Sequence, residues 1–178
     1  MVTAEELGME LDQVKVLLSD TDLTPDGGPT TGSRQTYISG NAARFAAIGL
    51  RESMKSTLAE KYDTPPDRIQ FAGGRGQVNG TTLSYREVAE AMRAEGREPR
   101  VVYEYWAPET TPLGEPGDKH FAYSFAAQAV EVEADLNTGE VKVIRAIAAT
   151  DVGTAINPLG LQGQVEGGMI MGLGHALT

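Results

Sequence analysis

The feature that most constrains this chain is its last stretch, Pro158 to Thr178, a helical pattern loaded with glycine. Val165, Met169, Leu173 and Leu177 recur every fourth residue and mark one apolar stripe of a helix. Gly160, Gly163, Gly167, Gly168, Gly172 and Gly174 punctuate it. Each interior glycine costs a helix about 0.5 to 1 kcal/mol relative to alanine, because the backbone surrenders more freedom on folding. A helix that keeps so many is expected where another backbone or a bulky ligand lies almost against it.

The remaining pattern reads as α+β, with packed helices and a mixed or antiparallel sheet. Thr3 to Glu10 reads as a short helix and Val14 to Leu18 as a brief strand. Thr21 to Gln35 holds Pro25, Gly27, Gly28, Pro29 and Gly32 and reads as a long loop, a kind of segment that is more often functional than idle. Ser39 to Tyr62 predicts a long helix with an apolar stripe of Ala42, Ala46, Leu50, Met54 and Leu58. Arg51, Lys55, Glu60 and Lys61 are expected to face water, Gly49 weakens the helix locally, and Thr64-Pro65-Pro66 stops it.

Ile69 to Gly80 reads as a glycine-broken hairpin with bulges, and its glycines fail the spacing of a dinucleotide-binding turn. Ser84 to Glu95 carries a helix start in which Ser84 and Glu87 form a capping box, with Gly96 as the stop. Val101 to Trp106 predicts a strand and Ala107 to Lys119 a loop. Val130, Val132 and Ala134, then Val141 and Val143, alternate with charged residues around Asn137-Thr138-Gly139, the pattern of an antiparallel hairpin with one wet face. Ile144 to Ala149 suggests that its second strand continues into a buried layer. The expected organisation is one domain over 1–178, with a candidate substructure around 64–119.

Composition excludes several functions. The 15 Lys and Arg against 25 Asp and Glu leave a net charge of -10, the wrong sign for a protein that binds nucleic acid by neutralising phosphates. Cysteine is absent, so this chain holds no disulfide, thiolate nucleophile or iron–sulfur cluster of its own. With only His120 and His175, a multi-histidine metal site within the chain is not expected. No run of about 18 apolar residues predicts a membrane span, and Glu5, Glu6 and Glu10 do not fit a secretion signal, so a cytoplasmic setting is expected.

No nucleophile or acid–base constellation stands out, and the G-x-S-x-G elbow of hydrolases is missing. Two segments invite chemistry instead. In Pro29 to Gln35, the backbone freedom of Gly32, the Ser33 hydroxyl, the Arg34 fork and the Gln35 amide suit a phosphate or a polar heterocycle. The bland reading of the same residues is an ordinary polar loop in which Arg34 serves structure. In Gln162 to Gly168, Gln164 offers a donor and an acceptor to a ring edge between glycines, or else caps a neighbouring carbonyl. Asp151 suits either a catalytic carboxylate or, more simply, an acceptor for turn amides.

At these residues the chain resembles the molybdopterin-binding subunit of the xanthine dehydrogenase and aldehyde oxidase family. The similar segments are Pro29-Thr30-Thr31-Gly32-Ser33-Arg34-Gln35-Thr36 with Ser39-Gly40-Asn41-Ala42, His120-Phe121-Ala122-Tyr123 with Ala126 to Val132, and Asp151-Val152-Gly153 through Ile156-Asn157-Pro158. Gly163-Gln164-Val165-Glu166-Gly167-Gly168 with Gly172-Leu173-Gly174 is the most distinctive. The segments follow the family's order along nearly the whole chain.

The resemblance implies a partial molybdopterin-binding domain. Gly32, Ser33 and Gln35 fall on a loop that meets the pterin cofactor or its phosphates, and Gln164 falls on a glutamine that reaches the molybdopterin. Arg34 is a less secure ligand. In such enzymes the molybdenum centre oxidises an aldehyde or an N-heterocycle with the help of a glutamate base. Electrons then leave through iron–sulfur clusters, commonly to FAD, on partner subunits or domains. The implied partners are the remainder of the molybdenum subunit, an iron–sulfur subunit and an FAD subunit.

Three family parts are expected outside the segment: an upstream glycine- and glutamine-rich cofactor loop, the substrate-pocket segment, and the catalytic glutamate, expected beyond Thr178. Gly114-Glu115-Pro116 mimics the setting of that base, but its place before His120 is wrong for it, and Glu115 reads as a solvated loop carboxylate. His120 reads as packed or hydrogen-bonded at a strand start. The leading expectation is a contributor to a molybdenum hydroxylase that is inactive alone. The alternative is a non-catalytic interaction or assembly module that retains the family fold.

Overall fold

A computed structural model describes residues 1–32 and 34–178, which form two compact units, residues 1–107 and residues 108–178. Ser33 lies outside the described residues. The α+β class expected from the sequence holds, with helices beside small antiparallel sheets.

The first unit begins with α1, Val2–Leu7, which Gly8 ends in the left-handed region. A single-turn 3₁₀ helix, Leu11–Gln13, follows. The brief strand expected at Val14 to Leu18 does not form, because no neighbouring strand pairs with it among the described residues; Val16, Leu17 and Leu18 stay exposed. Residues 21–32 form no regular element, and a short π-helical turn, Gln35–Ser39, runs directly into α2, Gly40–Tyr62.

The α2 helix buries Ala47, Met54, Thr57 and Leu58. Arg51 departs from the expected solvent face. Its Nη1 donates to the Glu6 carbonyl at 2.8 Å and to the Glu6 carboxylate at 3.1 Å, tying α1 onto α2, while Arg44 reaches the same carboxylate at 2.9 Å. Gly49 has a packing reason: a Cβ there would stand 3.3 Å from Cγ1 of Val101.

Beyond α2 come β1, Gln70–Ala72, β2, Arg75–Val78, and β3, Thr81–Ser84, joined as an antiparallel meander in the order β1-β2-β3. Both links are two-residue turns whose residues all have positive φ: Gly73 at 56° and Gly74 at 71°, then Asn79 at 46° and Gly80 at 78°. This is the turn geometry that matches strand twist, which is why Gly-Gly and Asn-Gly serve here. Pairing runs in register without the expected bulges, and β3 is an added strand.

Helix α3, Tyr85–Ala94, starts as anticipated, with Ser84 and Glu87 completing a reciprocal capping box. Leu7, Ala47, Met54, Leu58, Ile69, Val78, Val88 and Met92 form the core of the unit. The Val101 to Trp106 segment forms no strand. It packs through side chains instead: Val101 on Gly49, and Tyr103 and Tyr105 on Phe45.

The second unit holds β4, Phe125–Ala134, and β5, Val141–Asp151, paired antiparallel, followed by α4, Pro158–Leu177. The hairpin has a bulge: Glu131 faces Arg145 but Val132 faces Val143, so Ile144 is the extra residue. The bulge reverses the parity of β5, placing Val141 and Val143 on the same face as Ala146 and Ala148. The shift of parity is why Val141 and Val143 before Ile144 and Ala146 and Ala148 after it continue one face across the break in alternation. The expected buried layer is only half built, since Val143, Ala146 and Ala148 are partly covered while both faces of β4 stay exposed.

Candidate functional site

In the first unit, the loop before α2 is closed by its own side chains. Nη1 of Arg34 donates to the carbonyls of Gly27 at 2.7 Å and Pro29 at 3.1 Å, and the Arg34 N–H donates to the Thr31 carbonyl at 3.1 Å. Gly28 has φ 72° and gives its N–H to Asp26 at 2.8 Å. Gly32 has φ 55°, and a Cβ added there would meet nothing within 4 Å. Backbone freedom and open space therefore coincide at Gly32.

Gln35 is held on both ends of its amide. Its Nε2 donates to the Thr30 hydroxyl at 2.8 Å, and its Oε1 accepts from the Ser39 hydroxyl at 2.5 Å. One N–H and one lone pair remain for another partner. Of the two readings of Arg34, the bonds favour the structural one, because both side-chain acceptors are carbonyls.

Sequence reasoning missed an aromatic cluster beside this loop. Tyr105 stacks on Phe45 at 6.0 Å and meets Tyr37 edge-on at 6.1 Å, while Tyr103 tilts against Phe45 at 5.2 Å. The pKa of the Tyr105 phenol is raised, first by its hydrogen bond with Tyr37 and then by desolvation. The signal was present: Val101, Tyr103 and Tyr105 share a parity, and Tyr37 and Phe45 lie two turns apart along the chain.

In the second unit, the Asn157 side chain caps α4 by accepting the Gly160 N–H at 3.0 Å, and Pro158 opens the first turn. Leu161, Val165, Met169 and Leu173 are the partly buried residues of the helix. The first three line a shallow cleft with Ala148 and Thr150 of β5. At 100° per residue, Gly163, Gly167 and Gly174 fall on the side away from that stripe.

A Cβ at Gly163, Gly167, Gly168, Gly172 or Gly174 would meet nothing within 4 Å. Within its own unit nothing packs on this face, and Ile170 and Met171 flank it at 67% and 75% exposure. Gln164 borders the same face and is exposed. Among the described residues its amide has no hydrogen-bond partner, whereas the nearby Gln162 amide donates to Glu166 at 2.7 Å.

The other candidates resolve to local roles. Asp151 accepts the Gly153 N–H at 2.8 Å, the turn role. His120 sits edge-on to Tyr123 at 5.8 Å, and among the described residues no cluster of His, Asp or Glu is arranged to hold a metal ion. Glu115 is exposed, and its backbone carbonyl accepts from the Lys119 ammonium. Among the described residues no helix is long and apolar enough to cross a membrane.

Comparison with known proteins places these segments in context. A family model described as the molybdopterin cofactor-binding domain matches residues 1–178. The chain is 31% identical over 99% of its length to the 6-hydroxypseudooxynicotine dehydrogenase complex subunit gamma of Paenarthrobacter nicotinovorans, covering 22% of that protein. It is 33% identical over 98% of its length to the aldehyde oxidoreductase molybdenum-binding subunit PaoC of Escherichia coli K12, again covering 22%. Among solved structures, reconstituted CO dehydrogenase from Oligotropha carboxidovorans superposes with a TM-score of 0.72 at 28% identity, over 94% of this chain and 20% of that one. The chain thus spans about a fifth of the length of the relatives it matches.

Proposed function

Because the chain belongs to the molybdopterin cofactor-binding domain family, we propose that it supplies cofactor contacts to a molybdenum hydroxylase of the xanthine dehydrogenase and aldehyde oxidase kind. The reaction class is oxidative hydroxylation of an aldehyde or an N-heterocycle. The observation that carries the reading is the free amide of Gln164 beside an open glycine face on α4. A flat, polar heterocycle needs both features: a backbone it can approach closely, and a side chain able to donate to one ring-edge atom and accept from another.

Gln164 would hold the pterin edge, and Gly163 and Gly167 on the open face would let it approach. Gly32, Ser33 and Gln35 would hold the polar or phosphate end through hydroxyl, amide and backbone donors. The bound molybdopterin would supply the redox chemistry. This chain's own groups bind and orient; the proton-abstracting carboxylate and the iron–sulfur and FAD relay belong to other parts of the assembly. A cytoplasmic location accords with these roles.

The test is assembly with the remaining portions of the enzyme, followed by assay of molybdenum and pterin content. Gln164→Ala, or Ser33→Ala with Gln35→Ala, is expected to lower retained cofactor about three- to tenfold, the weight of one or two neutral hydrogen bonds. Unchanged content in both variants would reject the assigned contacts and favour a non-catalytic assembly module.

A further inference from the structure

The cofactor reading leaves one side chain of the 27–35 loop without a role, and the geometry gives it one. A single nitrogen of Arg34, Nη1, donates to two carbonyls at the start of the loop, Gly27 at 2.7 Å and Pro29 at 3.1 Å. Between those acceptors sits Gly28, with φ 72°, where an added Cβ would stand 3.3 Å from the same Nη1. Glycine suits this position both by its φ and by the room it leaves for the guanidinium. Two more ties complete the ring: the Arg34 N–H to the Thr31 carbonyl at 3.1 Å, and the Gln35 amide to the Thr30 hydroxyl at 2.8 Å.

We propose that Arg34 is a positioning residue: it ties Gly27, Pro29 and Thr31 into one closed conformation and promotes cofactor binding without touching the cofactor. The proposal rests on the reading of this loop as a cofactor contact. A trans peptide plane points its C=O and N–H in opposite directions. With the Pro29 carbonyl drawn toward the guanidinium, the Thr30 N–H is aimed to the opposite side of the loop. A loop already held in that state loses less conformational freedom on binding than an open one. Both N–H groups of Nη1 are committed to carbonyls, so this end of the guanidinium acts as a clamp on the backbone.

The experiment uses the full assembly, with Arg34→Ala and Arg34→Lys, and reads two quantities. The first is backbone hydrogen exchange over residues 27–35 in the cofactor-free form, with α2 as the control for general unfolding. The second is cofactor retention as a function of salt. Arg34→Ala is expected to speed exchange in the loop about tenfold, as loss of two charge-assisted bonds at an exposed site implies, and to lower retention by a similar factor. Arg34→Lys, which keeps a donor able to reach one carbonyl, falls between on both readouts. The salt dependence of retention is expected to be the same in all three proteins.

Unchanged loop exchange in Arg34→Ala would overturn the clamp. A shallower salt dependence in Arg34→Ala would overturn the indirect role, since it would reveal a charge contact with a cofactor phosphate. Faster exchange with full retention would overturn the link to binding. The underlying reading fails separately, when Ser33→Ala with Gln35→Ala also retains cofactor normally; loss in that variant but not in Arg34→Ala counts against Arg34 alone.

Discussion

Replacing the glycines of α4 by alanine should have opposite effects in two settings, and that reversal is the sharpest test of why they are there. In this chain a Cβ at Gly163 or Gly167 meets nothing within 4 Å, and both lie inside a regular helix. Steric cost is therefore nil, and only the gain in helix propensity remains. Each of Gly163→Ala and Gly167→Ala should stabilise the isolated chain by about 0.5 to 1 kcal/mol, and the pair by about 1 to 2 kcal/mol. Urea denaturation of the 178-residue chain followed by helical circular dichroism measures this. In the assembled enzyme the same methyl group would meet the cofactor or the backbone beside it. Overpacking of about 1 to 3 kcal/mol would then weaken cofactor retention roughly five- to 150-fold. Destabilisation of the isolated chain would show that part of the chain packs against this face. Normal cofactor content in the assembled double variant would refute the close-approach argument itself.

Two further outcomes follow from the first unit. Leu58 is fully buried among Leu7, Met54, Ile69, Val78, Val88 and Met92, so Leu58→Ala should cost about 3 to 4 kcal/mol in a urea melt, whereas Leu113→Ala, at 89% exposure, should stay within about 0.5 kcal/mol. A Leu58→Ala loss below about 1 kcal/mol would remove it from the core. The Tyr85 phenol, bonded to the Leu7 carbonyl, is pushed from its ordinary 10.0 up to about 12, chiefly by burial and against the opposing charge of Arg51. The folded state holds this proton more tightly than the unfolded one, so its contribution is complete below pH 10 and is lost as pH rises toward about 12. Tyr85→Phe should flatten the fall in urea midpoint between pH 9 and pH 11, values set about one unit either side of the ordinary phenol pKa; an unaltered fall would show that another group titrates there.

The helices were legible because their signals are local. Ser84 and Glu87 announce a capping box wherever the rest of the chain goes, whereas the Asn157 cap of α4 was a local signal left unread. The two strands that did not form were misread for a shared reason. Val14 to Leu18 and Val101 to Trp106 have strand-like composition, but a strand exists only when a partner supplies the other half of its hydrogen bonds. Partnering is set by tertiary structure, and in the second segment the aromatic side chains found Phe45 instead of a neighbouring strand. The bulge at Ile144 was visible only as a break in the alternation of apolar and charged residues. No local signal marks which strand of a hairpin takes an extra residue, so the hairpin was legible while the bulge that shifts its parity was not.

The candidate site stood out in the sequence for a different reason: the glycines around it violate local preference. Glycine belongs poorly in a helix, and six of them in Pro158 to Thr178 demand an explanation that propensity cannot supply. The structure divides the labour within that one helix. Leu161, Val165 and Met169 face the hairpin and hold the second unit together, so enlarging or shrinking them should act first on folding. Gly163, Gly167 and Gly174, with Gln164 at their border, face away from the hairpin and bury nothing of their own unit. Folding of the second unit gains no packing from that face, yet its glycines carry the helix-propensity cost. The cost is repaid if the face serves something outside the unit, and the Gln164 amide, without a partner among the described residues, suits one that offers both a donor and an acceptor, as the proposed cofactor would.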